Sequence, residues 1–341
     1  MPRASLKQRS DGRYTAKYKG IQFMWGLNNV SITPFLPTVL GVLLFIIALF
    51  WLAKSNPRLR APFIVVSVAV NFVYLYWRVA YTLPLAYGPV SIAMGVLLLL
   101  AELVGFWQSM MYRMLFIKPF QQQKSAASDW KQLPTVDVLI STYNESAAIL
   151  RRTVTACLNM DYPANLLHIA LCDDGRRPEI QSLANELGVI YITRDNNRDA
   201  KAGNVNNALQ NMQGAYVMLL DADMVPKTEF LQKTIGYFVD EKVGFVQTPQ
   251  MFFNPDPFQF NLRMNQRIPN EQDFFMMDIQ AARANYNAVL HVGTNAVFRR
   301  SALDSIGGVP TGTITEDMAM RVLFSSGIPS PVSALTGTTS S

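Results

Sequence analysis

Three acidic motifs, each following or adjoining a short apolar run, are spread over the second half of this 341-residue chain. Cys172-Asp173-Asp174-Gly175 follows LLHIAL, Asp221-Ala222-Asp223 follows YVMLL, and Thr315-Glu316-Asp317 adjoins the apolar stretch at 318–323. A strand that ends on an acidic turn places that turn at the carboxyl edge of an open sheet, where α/β sheets take their ligands. From residue 136 onward, strand and helix patterns alternate. Strands are expected at 136–141, 167–171, 189–192, 216–220 and 243–247, and helices at 146–160, from Pro178, at 204–212, at 227–240 and at 318–323. Ser146 is the expected N-cap of the first of these helices. Such alternation predicts a mostly parallel sheet with helices on both faces. Residues 255–285 are long and mixed, rich in Asn, Gln and Phe, and read as an amphipathic interfacial stretch.

The first third of the chain is different. Residues 36–53 carry no charge over 18 positions, 61–77 form a second uncharged run, and 85–101 a third that continues after Glu102 to about residue 116. Each is long enough to cross a bilayer. Tyr74, Tyr76, Trp77 and Tyr81 cluster at one end of the second run, as an interfacial aromatic belt does. The loop 54–60 holds Lys54, Arg58 and Arg60, and Arg113, Lys118 and Lys124 follow the third run; both read as cytoplasmic. Three spans then leave the basic residues 1–20 outside. Three resolutions stand: the tail is an exception, the first run does not span, or an upstream helix is missing. Arg78 and Glu102 fall in or near the spans. Intramembrane charges are functional candidates, but the plainer reading has Arg78 snorkelling to the headgroups and Glu102 facing a partner helix from elsewhere.

Charged residues are 16% of the chain and apolar ones 50%, which fits a membrane part joined to a soluble part. The net charge of +6 is concentrated in the tail, beside a hydrophobic segment, where it suits anionic lipid. No basic stripe with interleaved aromatics marks the soluble part, so nucleic-acid binding is not expected. Cys157, Cys172, His168 and His291 show no zinc spacing, and the two cysteines read as reduced packing residues. The expected organisation is a basic tail at 1–32, about three transmembrane helices at 33–117, a cytosolic α/β domain at 118–323, and a disordered or aberrant tail at 324–341.

Each motif has a chemical and a plain reading. Asp173 and Asp174 can bond a nucleoside base or ribose at a turn that Gly175 permits; an ordinary Asp-Gly turn is the alternative. In an extended segment alternate residues point the same way. Asp221 and Asp223 can thus face one Mg²⁺ or Mn²⁺ and the diphosphate it holds. Asp317, near a helix start, can act as a general base, or with Thr315 simply cap the helix. Lys201, ahead of a helix, can meet a phosphate. Thr142, Tyr143, Asn144 and Glu145 end the first strand, where a base can be held.

The order STYNES, CDDG, KAGNVNNAL, DAD, QTP, FFNPDPF, IPNE, GTNAVFRR, IGG and TED, with YLYWR at 74–78, resembles the catalytic subunits of bacterial cellulose synthases over residues 36–320. These are processive inverting glycosyltransferases with a GT-A fold. The resemblance implies a membrane-bound enzyme that transfers glucose from UDP-glucose to a growing β-1,4-glucan. It assigns Asp173 and Asp174 to UDP and Lys201 to the phosphates. Asp221 and Asp223 are assigned to Mg²⁺ or Mn²⁺ and the diphosphate, and Asp317 to deprotonating the glucan hydroxyl. It also implies the inner membrane, a cytosolic catalytic domain and accessory synthase subunits.

The chain departs from that pattern. The family's FFCG element reads Leu290-His291-Val292-Gly293-Thr294 here, and no Q-x-x-R-W follows Thr315-Glu316-Asp317. The later transmembrane helices and the domain for cyclic di-GMP are also lacking. The expectation is a truncated or frame-shifted chain. The alternatives are a synthase of another polysaccharide, a transferase to a lipid carrier, and an inactive fragment that binds a UDP-sugar.

Overall fold

A computed structural model describes residues 5–8, 14–17, 36–118, 127–264, 267–313 and 315–327. The chain divides into two compact units, Met1–Phe106 and Trp107–Ser341.

In the first unit, β1 (Ser5–Gln8) pairs antiparallel with β2 (Tyr14–Lys17). Three helices follow: α1 (Leu36–Ser55), α2 (Arg60–Tyr81) and α3 (Pro89–Leu115), the last running on into the second unit. They have 20, 22 and 27 residues and are long and apolar enough to cross a membrane. Leu44, Val73 and Val104 stand exposed, so the apolar surface faces outward. That arrangement is costly in water and favourable in lipid.

The two charges in these helices overturn the expectation that each looks elsewhere. Arg78 of α2 and Glu102 of α3 pair with each other, Nε to Oε2 at 2.9 Å. Nε also lies 3.1 Å from Oε1, and Nη1 donates to Thr82 Oγ1. The physical reason is that an ion pair is much cheaper to hold among apolar helices than two separate charges. α2 runs past the expected end at residue 77 to Tyr81, so Arg78 lies within it.

The second unit is built on six strands in the order β5-β4-β3-β6-β8-β7. β3 (Val136–Thr142), β4 (Leu167–Asp173), β5 (Ile190–Ile192) and β6 (Tyr216–Asp221) are parallel. β8 (Ala296–Arg299) runs antiparallel between β6 and β7 (Phe245–Gln247). The helices are α4 (Ala147–Leu158), α5 (Pro178–Leu187), α6 (Ala200–Asn211), α7 (Phe230–Thr234), α8 (Pro257–Leu262), α9 (Gln280–Ala284), α10 (Arg300–Ser305) and α11 (Glu316–Gly327).

Alternation along each strand divides the core into two layers. Val138 and Ile140 of β3 join Leu150, Val154, Ile180, Leu183 and Leu231, and so pack under α4, α5 and α7. Leu139 joins Val205, Ala208, Leu303, Met320 and Phe324, from α6, α10 and α11. Central strands covered on both faces read as continuous apolar runs, which is why VDVLIS and YVMLL were recognisable. Ser146 caps α4, accepting from Ile149 N at 3.4 Å.

Several boundaries differ from expectation. The helix expected at 227–240 is α7 followed by a 3-10 helix, Ile235–Val239. Gly236 and the β-branched Thr234 and Ile235 weaken a regular helix there. α6 begins at Ala200, so Lys201 and Gly203 lie inside its first turn rather than ahead of it. β8 was not anticipated, because four residues inside GTNAVFRR carry too short a pattern. α11 continues to Gly327 with Phe324 buried, where an irregular tail was expected from 324; the rest of that tail and most of the basic tail lie outside the described residues.

Residues 255–285 form α8, a π-helical turn (Phe274–Ile279) and α9. The polarity here is inverted. Asp256 and Gln259 are buried in a reciprocal capping box, while Phe258, Phe260 and Leu262 stand exposed and Phe253 fully so. Within the second unit, the residues that end and follow α3 touch this segment. Phe116 stacks on Phe274 at 6.2 Å, and Tyr286 OH donates to the carbonyl of Met114 at 2.9 Å.

Candidate active site

The strand registers bring the motifs to one edge. Thr142 at the end of β3 pairs with Asp173 at the end of β4, and Ser141 pairs with Asp221 at the end of β6. Because β8 is antiparallel, its first residue, Ala296, faces Leu219 of β6 and Gln247 of β7. The preceding turn, Gly293-Thr294-Asn295, therefore lies at the same edge.

Between the β3–α4 and β4–α5 loops is a cleft of about 440 Å³, lined by Tyr143, Asn144, Glu145, Asp174, Gly175 and Arg176 among others. A Cβ on Gly175 would collide with the carbonyl of Tyr143, so the two loops can approach this closely only with glycine there. Glu145 Oε2 accepts from Thr142 Oγ1 at 2.7 Å, Tyr143 N at 2.9 Å and Asn144 N at 3.2 Å. Burial works to raise this carboxyl, but the hydrogen bonds outweigh it and hold it below the usual range.

Asp173 is fully buried and its carboxylate is consumed by protein groups. It accepts from Gly175 N at 3.0 Å, Arg177 N at 2.8 Å, Arg177 Nη2 at 2.9 Å and Tyr191 OH at 3.0 Å. Burial and the Asp173 charge push the Tyr191 hydroxyl up to about 12, so it stays a donor. Asp174 is gripped by Arg194, Nε to Oδ1 and Nη2 to Oδ2 both at 2.7 Å. This fork-to-fork pair is the strong geometry for arginine and carboxylate. The two acids thus shape the cleft wall through the loop they hold. Arg177 and Arg194 were missed in sequence reading. The run Gly175-Arg176-Arg177 was the available signal for the first; an arginine two positions after β5 gave none for the second.

Beside the cleft, Lys201 pairs with Asp221 and donates to the carbonyl of Gly293 at 2.7 Å. The backbone N–H of Asp221 donates to Thr294 Oγ1 at 3.0 Å. Gly293 sits at φ +82°, a conformation that favours glycine. Asp223 is exposed and makes no hydrogen bond or ion pair among the described residues. No three His, Cys, Asp or Glu side chains among the described residues are grouped to hold a metal by themselves. The free Asp223 carboxylate and the second oxygen of Asp221 fit a hard divalent cation whose other ligands come from a diphosphate and water.

Behind the Gly293 turn, His291 Nδ1 and Val292 N both approach Gln247 Oε1, at 3.0 and 3.2 Å. Burial, aided by the Lys201 charge, drives His291 down to about 3, so its imidazole is neutral. Cys157 and Cys172 are free and buried, and burial pushes both thiols up to about 12. They are inert packing groups. Asp317 lies in the first turn of α11, half-buried, with Oδ1 accepting from Met318 N at 2.8 Å. No hydrogen bond or ion pair among the described residues joins it to Asp221 or Asp223.

Residues 137–307, half of the chain, match the family model for glycosyl transferase family 2. The chain is 40% identical over 253 residues to the UDP-forming cellulose synthase catalytic subunit of Xanthomonas axonopodis pv. citri, covering 74% of this chain and 35% of that protein. It is 35% identical over 310 residues to that of Pseudomonas fluorescens, covering 87% of this chain and 40% of that one. It therefore spans well under half the length of these curated relatives. A solved mannosyltransferase, PcManGT from Pyrobaculum calidifontis in complex with GDP-Man and Mn²⁺, is 20% identical, with TM-score 0.49 over 69% of this chain and 64% of that one. The mostly parallel sheet with one antiparallel strand, Asp173 and Asp221 at its carboxyl edge and the extent of the family match agree: this chain belongs to glycosyl transferase family 2, with a GT-A fold.

Proposed function

We propose that this chain is a membrane-bound glycosyltransferase that adds glucose from UDP-glucose to a β-1,4-glucan and releases UDP, with inversion. The observation that carries the reading is the meeting of Thr142, Asp173, Asp221, Lys201 and Gly293 at one sheet edge, in the order and context of cellulose synthase relatives. The three membrane-length helices and the outward phenylalanines of residues 252–262 support a place at a lipid surface. The reading puts the domain in the cytosol beneath the inner membrane, where nucleotide sugars are made. Accessory synthase subunits are partners by the same likeness.

In this mechanism the cleft walled by Asn144, Glu145 and the Asp173–Asp174 loop holds the uridine. Lys201 reaches the diphosphate as a point charge. Asp221 and Asp223 would hold Mg²⁺ or Mn²⁺, and the ion would supply positive charge against the departing diphosphate. The acceptor hydroxyl oxygen forms a bond to the anomeric carbon as the bond from that carbon to UDP breaks. The hydroxyl proton passes to Asp317. A single displacement of this kind inverts the anomeric centre.

The test is transfer of radiolabel from UDP-glucose by the chain in detergent-solubilised membranes, with Mg²⁺ or Mn²⁺ and then with EDTA. A metal-dependent product digested by a β-1,4-glucanase is expected. UDP binding without any polymer would overturn the synthase reading in favour of a nucleotide-sugar-binding chain.

A further inference from the structure

Among the described residues, the carboxylate of Asp317 has only a local bond, from Met318 N within α11. Its place is therefore inherited from how α11 is seated. Asp317, Met320 and Phe324 stand at i, i+3 and i+7 and share one helix face. Met320 and Phe324 are each 1% exposed, while Met318 and Val322 face outward. Phe324 lies two turns beyond Asp317, about 10 Å along the axis.

The seat of Phe324 is a cluster of rings. Its centroid is 5.6 Å from Phe245 and 6.1 Å from Phe298, which are register partners on β7 and β8. His291 stands edge-on to Phe298 at 5.0 Å. The His291 tautomer follows from its neighbour. Gln247 Nε2 faces the carbonyls of Thr294 at 2.8 Å and Thr248 at 3.1 Å, so it must donate to them. Gln247 Oε1 takes the Val292 N–H, so it must accept, and His291 Nδ1 carries the proton shared with it. Through Gln247 the ring cluster is joined to the 292–294 turn, which meets Lys201 and Asp221.

We propose that Phe324 is a positioning residue for the transfer: its ring, seated on Phe245 and Phe298, which in turn pack against His291, sets where the Asp317 carboxylate stands relative to Lys201 and Asp221. One aromatic seat thus ties the base to the part of the edge that holds the sugar donor. The inference rests on the reading of Asp317 as the base. A helix shifted on its seat carries the carboxylate with it, and a misplacement of about 1 Å can cost roughly a hundredfold in rate.

The experiment measures kcat and KM for UDP-glucose, and Kd for UDP, on the full chain in detergent with Mg²⁺. Phe324→Ala should lower kcat by about 10- to 100-fold, with KM and the UDP Kd within about twofold of the parent. Phe324→Leu, which refills part of the space, should give a kcat clearly below the parent's and above that of Phe324→Ala. Wild-type kcat in Phe324→Ala overturns the inference, and so does a loss of UDP binding that parallels the loss of kcat in Phe324→Leu. If Phe324→Ala does not fold, Phe324→Leu decides alone: reduced kcat with unchanged UDP Kd is expected, and wild-type kcat overturns the proposal. Asp317→Asn separates the two levels. If it transfers at the parental rate, or the parent itself makes no product, the base reading fails and takes this inference with it. If Asp317→Asn is inactive while Phe324→Ala is fully active, only the inference fails.

Discussion

Lys201 and Asp221 form an ion pair at the carboxyl edge of the sheet, and the same Nζ donates to the carbonyl of Gly293 at 2.7 Å. The pair joins α6, β6 and the turn before β8. Each member is also a group the proposed reaction needs, the lysine for phosphate and the carboxylate for metal. Without ligand they satisfy each other, and in the proposed reaction a diphosphate with its cation would separate them by giving each a better partner.

Removing the lysine should therefore act in two opposite directions. Lys201→Met should raise KM for UDP-glucose by about tenfold, as one phosphate contact is lost. It should also tighten Mn²⁺ binding in the absence of nucleotide, because Asp221 is released. A Mn²⁺ titration without and with UDP reads both effects. Unchanged metal affinity without nucleotide would mean that Lys201 does not compete for Asp221.

The aspartates divide into two kinds by burial. Asp173 is sealed inside, paired with Arg177, and Asp173→Asn should cost about 3–5 kcal/mol, the range for breaking a buried pair. Asp223 is exposed and has no partner among the described residues, so Asp223→Ala should leave the melting temperature unchanged while abolishing the metal dependence of UDP binding. Thermal melts and UDP binding with and without EDTA distinguish the two. Equal melting of both variants would contradict the division.

Glu145 gives a pH dependence with a definite sign. Its carboxyl is held below its ordinary 4.5, with burial opposing and the bonds from Tyr143 and Thr142 prevailing. A lowered carboxyl stabilises the fold above its unfolded value, and that stability is lost as pH falls through the folded value. Glu145→Gln should thus melt earlier than the parent at neutral pH. The gap should close in the acid range, below 4.5. A gap that stays constant down to that range would mean that the ionised carboxylate is not what holds the loop.

The sequence disclosed the parts of this fold with strong local patterns. Continuous apolar runs marked β3, β4 and β6, and an acidic residue at the end of two of them foretold which edge carries the site. Four residues of β8 left no such mark, so the one antiparallel strand was invisible, and with it the way Gly293 and Thr294 reach Lys201 and Asp221. The roles of Asp173 and Asp174 were half legible. Their motif announced a turn at the edge. Which arginines claim the carboxylates depends on Arg194, reached only after α5 and β5 have folded back beside β4. The aromatic seat of α11 was hidden for the same reason, since Phe245, His291, Phe298 and Phe324 are scattered along the chain and meet only in three dimensions.

The ion pair between α2 and α3 is the last feature with a sharp consequence. Arg78 is 8% exposed and its guanidinium reaches both oxygens of Glu102. Glu102→Ala leaves that arginine unpaired among apolar helices, and an uncompensated buried charge costs about 3–5 kcal/mol. The variant should lose thermal stability in detergent and accumulate less in membranes. Arg78→Ala combined with Glu102→Ala should recover much of the loss, because no lone charge remains. Glu102→Asp should fall between, its shorter side chain stretching the pair. Were the double variant to be as unstable as the sum of the two single variants, Arg78 and Glu102 would be acting independently, each held by something other than its partner.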